Sequence, residues 1–412
     1  AMVAEVNETG EVTVEGEFVG KLDGFRFRAD KGAGGAEEKT IKAAALQALA
    51  PQFHLRADRF YNAPDTEIDF TEQGGLMWGS SAVGKLIAGQ DALKPQVDVF
   101  VDDVAGPEVA EKVKRRLQHF IDRKVAALFE PLLNLGRDET LNGLAKGFAF
   151  QMVEGLGVLP RAAVADDVKA LDQDARGALR KHGVRFGQFT IFMPLLLKPA
   201  PTRLRLVLWS LTKGLSEFPE SPPPGLVTIP VEAGAPEGAD TMSGYRNAGS
   251  RAIRIDMLER LADMLRGEDS RGGFEAKPDM LSITGMTLEQ FSELMGGLGY
   301  KAEKGEREKV KAAVEKPAED AAPAADADAS TEPAAEDAAP EMEVFYTFTC
   351  GGRGQQRQQQ RPQGNKPRGK GKPKGKGPAG NKPQKFSAKP KAEKKIDPDN
   401  PFAAALQGLV KD

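Results

Sequence analysis

The segment from Pro107 to Leu128 reads PEVAEKVKRRLQHFIDRKVAAL. Its apolar residues recur at helical spacing, at positions 109, 113, 117, 121, 125 and 128. Proline suits the first turn of a helix, and an apolar stripe of this kind predicts a helix that buries one face. The opposite face carries Lys112, Arg115, Arg116, His119 and Arg123.

Helices are also predicted on both sides of this segment. The alanine-rich stretch from Ala36 to Ala50 predicts a helix that ends at Pro51, because proline inside a helix removes a hydrogen bond. Residues 164–181 predict a third helix, with Gly183 just beyond its end. These segments together predict a helical accessory domain over residues 31–220.

Two apolar blocks follow, at 186–197 and 204–211, with Pro199 and Pro201 between them. We expect two buried segments around a tight turn. Further along, the run SPPPG at 221–225 predicts a stiff linker, because consecutive prolines favour an extended chain. This linker is the predicted main boundary within the chain.

The first 30 residues predict a small β meander. Short alternating segments between residues 10 and 28 are separated by glycines, as in a series of strands and tight turns. A ribbon of two or three strands rarely buries enough apolar surface to be stable alone. We therefore expect residues 1–30 to continue an upstream domain, and the chain to be a fragment of a longer protein.

The residues after the linker predict a winged-helix-like module. Residues 253–265 are amphipathic, and TLEQ at 287–290 is a capping box that predicts the start of another helix. The β-prone run 344–349 needs a partner strand, and we expect it to pair with residues 300–303. Three helices with such a hairpin predict a winged-helix-like module over residues 226–305 plus 344–349.

Charge is strongly segregated along the chain, although 57 Lys and Arg residues nearly balance 60 Asp and Glu residues. Residues 353–395 contain fifteen basic residues and one glutamate, a net charge of +14, whereas residues 315–343 have a net charge of −9. Such segments do not form a core. We expect residues 306–343 and 350–395 to be disordered and residues 396–412 to form a short C-terminal helix motif. The predicted fold class is α+β and mainly helical.

Several classes of chemistry have little support. Cys350 is the single cysteine, so no disulfide or cysteine-based zinc site is expected, and this fits a reducing cytoplasm. His54, His119 and His182 lack metal-binding spacing, so no metal site is predicted. The longest apolar run, 189–197, is far shorter than the ~20 residues of a membrane-spanning helix. We expect a cytoplasmic protein without membrane association.

One segment nearly matches a phosphate-binding loop. Residues 79–86, GSSAVGKL, follow the pattern G-x-x-x-x-G-K, with Gly79, Gly84 and Lys85 at the fixed positions. The next residue, Leu86, lacks the hydroxyl that binds magnesium, and no central strand is predicted before the loop. We therefore predict no catalytic residue and no cofactor in this chain, and an NTPase is the least favoured function.

The basic residues predict nucleic acid as the partner. Fifteen cations among Gly, Pro and Gln have no role in a core, and contacts between such cations and phosphates release counterions. A merely solubilising tail is the alternative. The cations of the 107–128 helix could also follow phosphates, although a solvated helix face is the default interpretation. The predicted nucleic-acid-binding residues are Lys112, Arg115, Arg116, Arg123, Arg353, Arg357, Arg361, Arg368, Lys370, Lys372, Lys374 and Lys376.

Four strings of this sequence carry a resemblance to a known family. They are LRADRFYNAPDTEIDF at 55–70, LDQDARGALRKHGVRFGQF at 171–189, FMPLLLKPAPTRLRL at 192–206 and DPDNPF at 397–402. They resemble the C-terminal accessory region of alphaproteobacterial superfamily 2 helicases, which are related to the RNA helicase of the mitochondrial degradosome. The resemblance covers nearly the whole chain.

The resemblance implies an ATP-dependent helicase whose motor lies outside this chain, with ATP and magnesium as cofactors of the parent protein. No motor motif of the family has a counterpart here, so no catalytic residue is carried over. The implied function is to guide and tether a single strand of RNA or DNA, with a helicase motor chain or an exoribonuclease as protein partner. The alternative is a free-standing RNA-binding or scaffold protein without a motor.

Overall fold

The computed structural model describes residues 4–30, 36–309 and 340–350. Over these residues the protein is a mixed α/β structure with eleven helices and five small antiparallel sheets. The mixed helix and strand content predicted from the sequence is confirmed. The basic segment 353–395 and the C-terminal motif 396–412 lie outside the described residues, as does most of the acidic segment.

The N-terminal elements are a four-stranded antiparallel meander and a long helix. They are β1 (Ala4–Val6), β2 (Glu11–Val14), β3 (Glu17–Asp23), β4 (Arg26–Ala29) and α1 (Ala36–Asn62). Val12, Leu22 and Phe27 of the meander are buried in the same core as α1. The apolar face of the meander is therefore covered within the described part of this chain.

Helix α1 continues through Pro51, so the prediction that it ends there is wrong. Proline inside a helix costs ~3 kcal/mol, because its ring removes a donor and crowds the preceding turn. The turns beyond it bury Phe53, Ala57 and Phe60, and burial of one phenylalanine side chain stabilises by ~1.5–3 kcal/mol. Packing of this face therefore outweighs the local preference.

A second four-stranded meander and helix follow. They are β5 (Ile68–Phe70), β6 (Gly75–Trp78), β7 (Ser81–Ile87), β8 (Gln96–Val99) and α2 (Pro107–Leu128). The bounds predicted for α2 are confirmed, and Val109, Val113 and Leu117 of its apolar stripe are buried.

The first three strands of the two meanders pair in the same way, with residue numbers shifted by 64, and the loop before the fourth strand is six residues longer in the second meander. Ala4 lies opposite Val14 in the first meander, and Ile68 lies opposite Trp78 in the second. The register between the next two strands is interrupted at the same place in both, after the second residue of β2 and after the second residue of β6. The two meanders are therefore built on one plan.

The shift of 64 residues extends to the helices and to one sequence string. Residues 19–22 and residues 83–86 both read VGKL, in β3 and β7. Equivalent buried positions are Ala45, Leu49, Phe53 and Ala57 in α1 and Val109, Val113, Leu117 and Ile121 in α2. Residues 4–62 are called the first copy and residues 68–128 the second copy.

Helices and a small sheet follow the second copy. They are α3 (Glu130–Arg137), α4 (Gly143–Glu154), β9 (Val158–Pro160), α5 (Ala165–Ala170), α6 (Gln173–Lys181), β10 (Arg185–Phe186), β11 (Thr190–Phe192) and α7 (Pro199–Lys213). The single helix predicted over residues 164–181 is instead α5 and α6. Asp172 causes the break, because its side chain accepts a hydrogen bond from the N–H of Ala175 and caps α6.

The two apolar blocks on either side of Pro199 do not form two single segments around a tight turn, contrary to the prediction. The first block is divided between β10, β11 and a 3-10 turn at Pro194–Leu197, and the second block lies inside α7. Pro199 starts this helix, where the missing N–H has no intrahelical partner to lose. Helix α7 buries Arg205 completely, and this side chain donates to the carbonyl oxygens of Leu196 and Met242.

The remaining elements form two further three-stranded sheets and four helices. They are β12 (Thr228–Pro230), α8 (Ala239–Met242), β13 (Tyr245–Ala248), β14 (Arg251–Arg254), α9 (Ile255–Arg266), β15 (Phe274–Glu275), α10 (Pro278–Thr284), α11 (Leu288–Gly297), β16 (Lys301–Glu308) and β17 (Met342–Thr349). Phe348 lies opposite Ala302, so the pairing predicted for the run 344–349 is confirmed.

Two predictions about helix starts have different outcomes. The capping box is confirmed, because Thr287 and Gln290 make both of its reciprocal hydrogen bonds at the start of α11. The start predicted for the preceding amphipathic helix is wrong. Ile253 lies in β14, which pairs with β12 and β13, and α9 begins at Ile255.

Two hydrophobic clusters make up the core of the described residues. The larger one extends from both copies through α7 and across the proline run 221–225 to Met242 and Ile255. The smaller one is formed by α9, α10 and α11 together with Phe348. Apolar packing therefore crosses the proline run that the sequence indicates as the main boundary.

Gly84 lies where β7 and β8 approach each other closely, and a substitution there tests this packing. A Cβ atom there would lie 2.7 Å from the carbonyl oxygen of Asp98 and 3.0 Å from Leu117 Cδ1. We expect Gly84→Ala to lower the free energy of unfolding by ~1–3 kcal/mol, as over-packing does. In the control Gly147→Ala, on α4, the new methyl group meets nothing within 4 Å, and alanine favours the helix. Denaturant unfolding should rank the control above Gly84→Ala, and equal stabilities would contradict this explanation.

Candidate nucleic-acid interface

The side chain of Arg116 is buried, so the prediction that it belongs to an exposed basic face is wrong. Only 6% of Arg116 is exposed, and its Nη2 donates to Asp65 Oδ1 at 2.6 Å and to the carbonyl oxygen of Ala63 at 2.8 Å. Desolvation favours a higher pKa for Asp65, but the hydrogen bond and charge of Arg116 outweigh it, and the pKa of Asp65 lies below its ordinary value. Arg116 therefore links α2 to the chain before β5.

The other three cations predicted on this face are at least partly exposed, and each lies close to a carboxylate. Lys112 forms an ion pair with Asp58 of α1, and Arg123 Nη1 lies 3.4 Å from Asp65. Arg115 lies 3.9 Å from the glutamate one turn before it. These neighbouring carboxylates reduce the positive potential of the face, which makes it a weaker phosphate site than the sequence indicates.

Gly79, Gly84 and Lys85 do not form a phosphate-binding loop. Gly79 lies in the turn between β6 and β7, and the other two residues lie inside β7, which is followed by another strand. A phosphate-binding loop must instead lead from a buried strand into the start of a helix. The first copy has Gly20 and Lys21 in the same strand position. The Gly-Lys pair is therefore a feature of the repeated fold.

The eight predicted nucleic-acid-binding residues between Arg353 and Lys376 lie outside the described residues. A further group of cations, which the sequence analysis missed, lines an open cleft of about 920 Å³ on the first copy. The cleft is formed by the turns at 6–9 and 79–81, by β3 and β4 and by one face of α1. It is called the arginine cleft, and its cations are Lys21, Arg28, Arg56 and Arg59.

Arg56 is held at the wall of the arginine cleft by aromatic packing. Its guanidinium carbon lies 5.7 Å from the centroid of the Trp78 ring, which stacks on Phe25 with centroids 6.0 Å apart. The Nε atom of Arg56 is buried and has no hydrogen-bond partner. Desolvation, and then repulsion from Arg59, lower the pKa of Arg56, against the attraction of Asp23.

The cations of the arginine cleft differ in how they are paired. Arg28 forms an ion pair with Asp23 at 3.1 Å. Among the described residues, neither Arg56 nor Arg59 has a carboxylate within ion-pair distance. Two neighbouring guanidinium groups without such partners favour an anion between them.

A second cleft, of about 610 Å³, lies beside the start of α7. Five prolines contribute to its lining, and two of its four cations, Arg203 and Arg254, are already paired with carboxylates. The start of α7 is also a poor anion site, because Pro199 and Pro201 have no N–H group to offer. This cleft is the weaker candidate.

The three histidines do not come together. His54 and His119 are exposed on different helices, and His182 Nε2 lies 2.6 Å from Asp138 Oδ2. Hydrogen bonds from Thr140 and then from His182 lower the pKa of Asp138 to about 2. Within the described ranges, no group of three or more His, Cys, Asp or Glu side chains is placed to hold a metal ion, and no helix is long and apolar enough to cross a membrane.

The arginine cleft escaped the sequence analysis because its residues come from distant parts of the chain. Arg56 and Arg59 lie three residues apart on α1, but Lys21 and Trp78 reach the same cleft only through the fold. The sequence does contain one relevant signal, which is the string VGKL repeated at an interval of 64 residues. A search for internal repeats would identify the two copies from it.

We expect the purified chain to hydrolyse no ATP. The near-match to a phosphate-binding loop lies in a hairpin, and Leu86 stands where a magnesium-binding hydroxyl is required. Lys85→Ala should therefore leave phosphate release at the background level of the wild type. Magnesium-dependent turnover by the purified chain that disappears in Lys85→Ala would contradict this expectation.

Asp65→Asn should leave the buried guanidinium of Arg116 without its carboxylate. We expect a loss of ~2–4 kcal/mol at neutral pH, somewhat below the value for a fully buried pair because one third of the Asp65 side chain is exposed. The control Asp58→Asn breaks an exposed pair with Lys112 and should cost at most ~1 kcal/mol.

The Asp65→Asn effect should also depend on pH. Because the folded-state pKa of Asp65 is lowered, the stabilisation is fully present above the ordinary carboxyl pKa and is lost as the pH falls through the folded-state value. Urea unfolding across that range should show the wild type and Asp65→Asn converging in acid. A difference that is constant with pH would refute the role of this pair.

Comparisons of the chain with protein-family models, curated proteins and solved structures give no match.

Proposed function

We propose that this chain is the accessory C-terminal region of an ATP-dependent nucleic-acid helicase, and that it tethers and guides one strand, with RNA as the favoured substrate. The four strings that resemble superfamily 2 helicases support the assignment to a helicase. The segregation of charge supports the nucleic-acid role. ATP and magnesium belong to the motor of the parent helicase, and a motor chain or an exoribonuclease is the proposed protein partner.

The observation that carries the proposal is the segregation of positive charge along the sequence. The cations predicted on α2 lie next to carboxylates, and the residues before Glu315 have a net charge of −6. Residues 353–395 set fifteen cations against one glutamate. Most of the attraction for phosphate must therefore come from this segment, which raises the local concentration of the strand near the folded body.

The last helices and strands support a winged-helix-like module. Their order is α9, β15, α10, α11, β16 and β17, and the three strands form one antiparallel sheet in the order β15–β17–β16. Three helices and a β hairpin in this order are the parts of a winged helix. The proposed module covers residues 255–308 plus 342–349. It starts later than the 226–305 plus 344–349 expected from the sequence, because residues 228–230 and 245–254 belong to the separate sheet of β12, β14 and β13.

The charges of α11 indicate that this module packs against the rest of the protein and does not use α11 to read DNA. In helix-turn-helix proteins the recognition helix enters the major groove, and α11 occupies that place in the order. It contains Glu289 and Glu293 and no Lys or Arg. Ser250 Oγ donates to Glu293, and Gly297 lies against the backbone of Ala248. We infer that the module packs against the sheet of β12, β14 and β13 and does not read duplex DNA.

Deletion of residues 353–395 tests the proposal. We expect binding of single-stranded RNA or DNA to weaken by ~100-fold or more at low salt, and the salt dependence to flatten, because the slope is about −0.7 per phosphate contacted. Deletion of residues 315–339 should strengthen binding, since this acidic stretch competes for the cations. Titration of labelled strands at several salt concentrations measures both effects.

Two matched variants separate charge from chain length. Replacement of the fifteen cations by glutamine keeps the length and the Gly and Pro content, and it should act like the deletion. Deletion of residues 396–412, which carry few charges, should leave the salt slope unchanged. A slope that survives the loss of residues 353–395 would defeat the proposal.

A further inference from the structure

The first turn of each copy is built alike. In the first copy, the side chain of Asn7 accepts a hydrogen bond from the backbone N–H four residues later at 2.8 Å. The side chain of Thr71 does the same in the second copy, also at 2.8 Å. The turns end at Gly10 and Gly74, with φ angles of 82° and 83°. The surfaces beside the two turns are therefore equivalent places in the repeated fold.

In the second copy this turn holds an extended chain segment. Gln73 exchanges two hydrogen bonds with the backbone of Phe218, both at 2.9 Å. Glu72 accepts hydrogen bonds from the backbone N–H and the hydroxyl of Ser221. The Phe218 ring packs against Gly74, where a Cβ atom would lie 3.1 Å from it. This surface therefore takes an extended segment through polar contacts.

In the first copy the equivalent surface faces open space. The turn residues 7–9 line the arginine cleft together with Lys21, Arg56 and Arg59. The lining contains four cations and two carboxylates, so the cleft has a net charge of +2. Where the second copy holds a segment of its own chain, the first copy thus offers a cationic cleft.

We propose that the arginine cleft binds the sugar–phosphate backbone of a single strand of nucleic acid, laid along the first copy as an extended segment. The inference rests on the proposed function and adds to it a contact on the folded body. Arginine forks match phosphate oxygens, and neither Arg56 nor Arg59 has a carboxylate partner among the described residues. Ser80 and Ser81 lie in the same cleft and supply hydroxyl donors.

Trp78 lines the cleft but does not offer a free stacking surface. Its ring contacts Phe25, Phe60 and the guanidinium of Arg56, and its indole N–H donates to Glu67 at 3.1 Å. Contacts to phosphate and sugar carry no sequence information. The cleft should therefore bind strands of different sequence with similar affinity.

The spacing of charges favours nucleic acid over the acidic segment 315–343 of this chain as the occupant of the arginine cleft. Ten carboxylates occur within residues 315–343, and they are unevenly spaced: Glu319 is next to Asp320 and Glu336 is next to Asp337, but other neighbours are two to six residues apart. A strand of nucleic acid carries one phosphate on every nucleotide, without such gaps. Arg56 and Arg59 are separated by three residues on a helix, which places their Cβ atoms ~5–6 Å apart. Closely spaced phosphates can engage both.

The test compares two double variants of the full chain, titrated with labelled single-stranded RNA at several salt concentrations. In Arg56→Gln with Arg59→Gln we expect ~10-fold weaker binding at low salt and a slope smaller by about 1.4, because two phosphate contacts are lost. The control Lys146→Gln with Lys169→Gln removes the same charge from exposed positions on α4 and α5, outside the cleft. It should change the affinity by less than about twofold, since charges distant from the strand are screened.

Two further variants guard against a folding defect. Arg56→Lys keeps the charge but loses the fork, so we expect a loss of affinity smaller than that of the double variant. Arg59→Gln changes an exposed residue and should lower the slope by about 0.7 with an unchanged thermal midpoint. If the double variant unfolds, these two single variants decide the outcome.

The outcomes separate this inference from the proposed function. A full chain that binds no RNA overturns both. Binding that depends on residues 353–395 but is unchanged by the loss of Arg56 and Arg59 overturns the arginine cleft alone. The same double variant in a chain lacking residues 315–339 tests the rival occupant. The acidic segment is the occupant, and the inference is wrong, if the double variant weakens RNA binding in the full chain but leaves it unchanged in the chain that lacks residues 315–339.

Discussion

Contact among Phe25, Phe60 and Trp78 joins the two copies, and the arginine cleft depends on it. The three rings come from the first meander, from α1 and from the second meander, with centroids 5.0 to 6.0 Å apart. Rings at these distances gain edge and stacking attraction beyond the burial of their apolar area. Arg56 lies over Trp78 on the cleft side. The same packing that holds the copies together therefore sets the position of the cationic wall.

The buried and half-buried arginines have different roles although they are the same residue type. Whether an arginine stabilises the fold or can bind a ligand depends on whether its guanidinium group already has hydrogen-bond acceptors in the protein. Arg205 is fully buried and has no carboxylate partner within the described part of the chain. Desolvation lowers its pKa to about 9, and its nitrogens donate to backbone carbonyls. Arg116 is held by Asp65 and a carbonyl oxygen. Both serve the fold. Arg56 and Arg59 have no equivalent acceptors among the described residues, which leaves their positive charge available to a ligand.

Local patterns predicted some elements well. The bounds and buried stripe of α2 followed from apolar spacing, and the capping box at Thr287 marked the start of α11. In these cases the interactions join residues that are close in sequence. The prediction that α1 ends at Pro51 was wrong because contacts from beyond the helix stabilise its last three turns. The segment 204–211 was correctly predicted as buried, but burial alone does not distinguish a strand from a helix.

Composition and local spacing were sufficient to identify the segregated charge, the amphipathic helix and the helix caps, because these properties involve residues within a few positions of each other. Which partner each cation meets is decided by residues that are distant from it in the sequence. Arg116 and Arg56 both occur on helices with neighbouring charges, yet one meets a carboxylate and the other an open cleft. The Gly79–Lys85 string likewise acquired its role from the neighbouring strand and from its counterpart in the first copy. Side-chain partners drawn from distant elements exist only once the chain has folded, so the sequence pattern of either cation could not reveal its role.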